Sequence, residues 1–109
     1  MAAAVEAADD PVVPLVAMSV SYLGEGNDRA VTEAELYLAA THRPELRPLA
    51  DCWRTALITV LASRFPLNRA RAAAVFLDGA LLDALSNPTP LTPAAVAEAL
   101  RDLLGTPVR

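Results

Sequence analysis

One cysteine and one histidine stand in 109 residues, and neither has the company that chemistry requires. A lone Cys52 excludes an internal disulfide framework and a cysteine-rich zinc site. His42 has no metal-ligand partner at helical spacing and reads as a polar residue at a helix C-terminus, where positive charge is favourable. A glycine-rich phosphate loop and a serine elbow are also missing, so the chain reads as a non-enzyme without cofactor or metal. No run of about 18 uncharged apolar residues exists, because the longest candidate, 72–85, is interrupted by Asp78 and Asp83. A membrane partner is therefore not expected. The segment 1–6 lacks the basic start and long apolar core of a signal peptide, which makes the cytoplasm the expected location. Basic surface is scarce too, with 9 Lys and Arg against 13 Asp and Glu and a net charge of −4. Arg43, Arg47 and Arg54 cluster within a dozen residues, but Glu45 and Asp51 dilute them. Phosphate contacts need a concentrated basic face, so this stretch alone is not expected to bind nucleic acid.

Apolar residues are what the chain has, 54% hydrophobic against 20% charged. A single small domain buries only a modest fraction of its surface, so this excess points to association. Period-two alternation appears nowhere, and the class is all-α, a bundle of about five helices. Residues 1–10 read as an N-terminal tail or frayed helix, and 11–109 as one helical domain. Asp10 and Pro11 supply an N-cap and a first-turn proline. From there to Leu23 the only polar side chains are Ser19, Ser21 and the Tyr22 hydroxyl, and Gly24-Glu25-Gly26 ends the helix. Asn27 or Asp28 can open a second helix to about Thr41, with Val31, Ala34, Tyr37 and Leu38 inward. Thr32 and Glu35 match a capping box and leave a start four residues later open. Pro44 opens a third helix with Leu46, Leu49, Trp53, Ala56, Leu57, Val60 and Leu61 in one stripe and Ile58 outside it. Thr92 and Pro93 cap a last helix whose stripe is Val96, Leu100, Leu103 and Leu104, and Gly105 sits at its C-cap.

Between these two lies the stretch 68–86. At about 100° per residue it sorts into two apolar faces. Ala70, Ala73, Leu77, Ala80, Leu81, Ala84 and Leu85 share one side; Ala72, Val75, Phe76, Gly79 and Leu82 share the other. The seams between them carry Arg71 with Asp78 and Arg69 with Asp83, which suit salt bridges. A surface helix needs only one apolar stripe, so a helix with two must be covered twice. The second cover is expected from another copy of the chain, through Val75, Phe76, Gly79 and Leu82, although the Ala and Leu face can serve instead. Gly79 and Ala72 allow a neighbouring helix to come close. Met18, Tyr22, Tyr37 and Trp53 fall on helices that should face one another. Side chains of this size and polarity line apolar pockets or fill a plain core, and composition leaves both open.

The run 35–49 (ELYLAATHRPELRPL), followed by Trp53-Arg54, then 76–85 (FLDGALLDAL) and a Thr-Pro-initiated last helix, resembles the C-terminal regulatory region of TetR-type transcriptional regulators. The Pro-, Ala- and Arg-rich style also resembles that of a high-GC bacterium. The resemblance runs from about Pro11 to Leu104. It implies an effector-binding and dimerisation domain, in which two long helices pair with the same two of a second subunit into a four-helix bundle. It also implies a small apolar effector, bound between the inner helices and the first dimer helix, which places Met18, Tyr22, Tyr37 and Trp53 at the ligand. Family members are near twice this length, and nothing before Pro11 suits a helix-turn-helix. DNA contact is thus expected only through an N-terminal segment missing from this sequence, and the chain is either a domain of a longer regulator or a shortened relative. The alternative function is a stand-alone helical dimeric protein-interaction module with no ligand and no DNA binding.

Overall fold

The computed structural model describes residues 2–23 and 27–107. Among them the chain forms seven α-helices and no strand: α1 (Ala2–Ala7), α2 (Val12–Tyr22), α3 (Asp28–His42), α4 (Arg47–Ala50), α5 (Cys52–Ala62), α6 (Leu67–Ser86) and α7 (Pro93–Leu104), with a 3-10 turn at Pro44–Leu46 before α4. The all-α reading holds, and the five longest helices are the five expected. The expected stop at Gly24-Glu25-Gly26 lies outside the described residues.

The core gathers where α5, α6 and α7 meet and where α2 and α1 close over them. Leu15, Leu57, Leu61, Leu100 and Leu104 are fully buried, and each contributes roughly 1.5–3 kcal/mol of transfer free energy. α6 enters this core with Ala70, Ala73 and Ala74, all completely buried. Their small side chains let the α5 and α7 backbones approach before Leu77 and Leu81 take over in the next turns.

Local chemistry fixes the helix ends. Asp10 accepts from the Val12 amide at 3.1 Å, while its other oxygen holds Arg101 of α7 at 2.9 Å. The Thr92 hydroxyl accepts from the Ala95 amide at 3.1 Å, with Pro93 at the first helical position where no donor is needed. Gly105 ends α7 at φ 74°, a left-handed conformation that glycine adopts without steric cost. α3 starts at Asp28, the earlier of the two candidate starts. Thr32 lies inside it, its hydroxyl donating to the Asp28 carbonyl at 2.9 Å.

Four details differ from the sequence reading. First, the segment read as a tail or frayed helix contains a packed helix at 2–7. A six-residue helix is marginal alone, but Val5 is fully buried. Arg64 Nη1 lies 2.8–3.2 Å from the carbonyls of Val5, Glu6 and Ala8, and a cation there also favours the helix C-terminus. Second, the inner face of α3 is turned. Ala30 and Ala40 are buried, whereas Val31 and Leu38 are exposed, since α3 packs chiefly on the 3-10 turn and α4 and only touches α6. Third, the third expected helix breaks at Asp51 into α4 and α5. Leu49, before the break, is exposed, and the covered side of α5 takes in Leu57, Ile58 and Leu61 and leaves Ala56 outside, so Ile58 packs against the core instead of standing outside it. Fourth, the α6 seams do not form salt bridges along the helix. Asp78 pairs with Arg54 of α5 at 3.0 Å, and Asp83 accepts from the Asn87 side chain at 2.9 Å and the Leu91 amide at 3.0 Å. Arg69 instead donates to the Leu103 carbonyl at 3.3 Å.

Candidate functional site

The last turns of α2, the middle of α6 and the start of α7 enclose an apolar cleft of about 340 Å³. This falls within the range of small-molecule sites, about 300–1,000 Å³. α2 supplies Val16, Met18, Ser19 and Tyr22; α6 supplies Leu77, Asp78 and Leu81; Trp53 of α5 closes one end. Leu91, Pro93 and Val96 form the wall on the α7 side. The turn before α7 is held in place by Asp83, which takes the Leu91 amide. That bond and the one from Asn87, the larger effect, hold the Asp83 carboxyl below its ordinary range.

Tyr22 and Trp53 stack with ring centroids 6.3 Å apart and planes within 8° of parallel. Burial pushes the Tyr22 hydroxyl well above its ordinary pKa, and the nearby Glu33 carboxylate adds to the shift. Glu33 Oε2 is itself buried without a hydrogen-bond partner. A second hollow of about 370 Å³ shares Trp53 with the cleft and is lined otherwise by Glu33, Leu36, Tyr37, Leu49, Ala50, Cys52 and Ala56.

Of the four residues expected at a ligand, the structure brings Met18, Tyr22 and Trp53 into the cleft and puts Tyr37 in the second hollow. Tyr37 instead joins a polar cluster behind the cleft. Its hydroxyl donates a long bond, 3.4 Å, to Asp78 Oδ1, Arg54 Nε donates to Asp78 Oδ2 at 3.0 Å, and the guanidinium lies 5.5 Å from the Tyr37 ring centre. Burial, then the charges of Asp78 and Glu33, push the Tyr37 hydroxyl up to about 12. The hydrogen bond to Asp78 holds Arg54 above its usual value despite partial burial. Arg54 also reaches Asp51 at 3.2 Å, so it belongs to this cluster rather than to a solvated basic face.

Sequence reasoning missed Asp78 as a cleft residue, along with Val16, Ser19 and the α7 wall. The signal for Val16 and Ser19 was their spacing on α2, where Val16, Ser19 and Tyr22 follow one another at three-residue steps. The Asp78 signal was its place between the two apolar faces, from which it can reach a neighbouring helix.

Among the described residues, most of the opposite face of α6 is left uncovered. Val75 is 61% exposed and Leu82 47%, and a Cβ built on Gly79 meets nothing within 4 Å. Ala72 is exposed as well. Phe76 is the exception among the four expected contact residues, since it is half-buried and packs against the core. The Ala and Leu face is the one covered internally.

One long helix thus walls an apolar cleft on one side and presents apolar surface on the other, within an all-α domain. A family model described as tetracyclin repressor-like, C-terminal domain, matches residues 3–106. The chain belongs to that family, whose domain begins within α1 and ends just after α7. No characterised protein matches the chain in sequence. Among the described residues no helix is long and apolar enough to cross a membrane.

Proposed function

We propose that the chain is the effector-binding and dimerisation domain of a transcriptional regulator, taking a small apolar molecule into the α2–α6–α7 cleft and pairing with a second copy through the outer face of α6. One observation carries this reading: α6 forms the cleft wall with Leu77, Asp78 and Leu81 while Val75, Gly79 and Leu82 stand open on its far side. A ligand and a partner subunit would therefore touch the same helix. An isologous contact repeats every interaction twice, so two or three large apolar side chains per copy are enough for a modest dimer. Pairing of α6 and α7 with their counterparts in a four-helix bundle follows from the family resemblance. DNA contact belongs to another segment of such a regulator, and the domain itself has no catalytic role.

Ligand acts by favouring one arrangement of α6 over another, to the extent of its differential affinity for the two. Trp53, the only tryptophan, reports on the cleft. Titration with small apolar compounds should change its fluorescence, and Trp53→Phe should remove the signal. Sedimentation equilibrium should give a dimer at tens of micromolar, on the order of a weak but specific contact. A monomer at that concentration, or a Trp53 signal indifferent to every apolar compound tried, rejects the corresponding half of the proposal.

A further inference from the structure

The polar groups of the cleft indicate what kind of molecule fits it. Among the described residues that line it, Asp78 alone carries a formal charge, and no arginine, lysine or histidine is among them. Arg54 lies behind Asp78, engaged with it and with Asp51. The Ser19 hydroxyl donates to the Leu15 carbonyl at 3.0 Å, and burial together with the nearby Glu33 carboxylate makes the Tyr22 hydroxyl hold its proton more firmly than usual. Ser19 and Tyr22 also belong to the last turn of α2, where the carbonyls carry the partial negative end of the helix. Among the described residues the Trp53 indole N–H makes no hydrogen bond. Asp78, by contrast, has room to accept. A carboxylate offers about four lone-pair sites, and here Oδ1 receives one long bond and Oδ2 one from Arg54.

We infer that Asp78 sets the chemical class of the effector: an apolar molecule of one or two rings whose polar group is a hydrogen-bond donor, an alcohol, phenol or amine, with carboxylates excluded. The inference deepens the effector-site reading above and rests on it. A donor on the ligand finds Asp78 at the cleft wall, in surroundings where a charge-assisted bond is stronger than one to a neutral acceptor. A carboxylate of the same shape meets Asp78 and the α2 carbonyls with no cation among the described lining residues, since Arg54 lies behind and is already held by Asp78 and Asp51, and it leaves its own hydration behind on entry.

The test is equilibrium dialysis of the 109-residue chain against four compounds sharing one ring system: 2-naphthol, 2-naphthylmethylamine, 2-methoxynaphthalene and 2-naphthoate. The naphthol and the amine should bind at least about tenfold more tightly than the methoxy compound, the worth of one hydrogen bond to a charged acceptor. Naphthoate should bind most weakly of the four. Asp78→Asn should remove the advantage of naphthol over its methyl ether, whereas Tyr22→Phe should preserve it. Should Asp78→Asn lose its helical circular dichroism, the comparison on the unaltered chain decides alone. Equal binding of naphthol and methoxynaphthalene, or preference for naphthoate, overturns the inference and leaves the cleft as an effector site. Failure of all four to bind overturns the effector site and the inference with it.

Discussion

The two faces of α6 are built from the same few residue types and meet opposite fates. On one, Ala70, Ala73 and Ala74 are completely buried and Leu77 and Leu81 nearly so; on the other, Val75 and Leu82 are about half exposed and Gly79 faces open space. Composition therefore does not say which apolar face a small chain covers by itself. Geometry does, because α5 and α7 leave one approach to α6 and both use it. Small residues stand where helices cross closely, and larger ones follow where the helices diverge into the cleft. The open face repeats that grammar, with Ala72 and Gly79 beside Val75 and Leu82, as it should if another helix comes equally near.

Substitutions that treat the two faces differently test this. Leu77→Ala on the covered face should cost about 2–5 kcal/mol in urea unfolding, as core truncations do. Val75→Asp with Leu82→Asp on the open face should dissociate the dimer in sedimentation, removing about 1.5–3 kcal/mol for each apolar side chain withdrawn from the contact. The unfolding free energy of the monomer should stay within about 0.5 kcal/mol. Equal damage to folding from both changes would erase the distinction. Phe76→Asp is a poorer probe, because Phe76 also packs inward. Gly79→Ala sharpens the comparison further. It should stabilise the isolated helix by up to about 1 kcal/mol, yet weaken dimerisation if close approach is what Gly79 provides. A rise in both stability and dimer affinity would refute the close-approach role.

Smaller effects come from the carboxylates that border the faces. Tyr37, next to Asp78, ionises near pH 12 instead of its ordinary 10.0. Its folded state favours the neutral phenol, so the stabilisation is whole below pH 10 and disappears as pH rises from there towards 12. Ultraviolet titration of the phenolate should show both tyrosines ionising late, with unfolding following. Asp83 runs the other way: its carboxyl is held below 3.8, so its contribution is present above that value and is lost as acid protonates it. Nuclear magnetic resonance should then show the Leu91 amide shifting first in acid, before the core resonances move.

Much of the fold was legible because helical periodicity and caps are local. The α7 stripe, its Thr92 cap and its Gly105 end were all readable from a dozen residues. So was the doubling of faces on α6, since spacing alone exposes it. What failed was every judgement that needed a partner's position. The outward turn of Val31 and Leu38 depends on α3 packing against α4 instead of lying along α6. The break at Asp51 was hidden because a short proline-rich stretch looks alike with or without it, and Ile58 turned inward because α5 packs on α6 with Ala56 left outside. The cleft was half legible for the same reason. Aromatic and methionine side chains marked Met18, Tyr22 and Trp53, while Tyr37, on a helix set apart, fell into the neighbouring hollow. Asp78 lay on a polar seam that matched an ordinary surface salt bridge, and nothing local distinguishes that from a carboxylate at a cleft wall.

The clamp of Arg64 on α1 bears on how the domain can evolve. Three backbone carbonyls share one guanidinium nitrogen, so the sequence of α1 is constrained at Val5, which is buried, and hardly at all at the carbonyls themselves. Descendants can rewrite most of α1 and keep it docked, provided the arginine survives fifty-odd residues downstream. Loss of Arg64 is the reverse case, a single change that strips three carbonyl contacts from α1 and leaves Val5 as its one buried side chain among the described residues. Drift should therefore be fast in α1 and slow at the position that holds it.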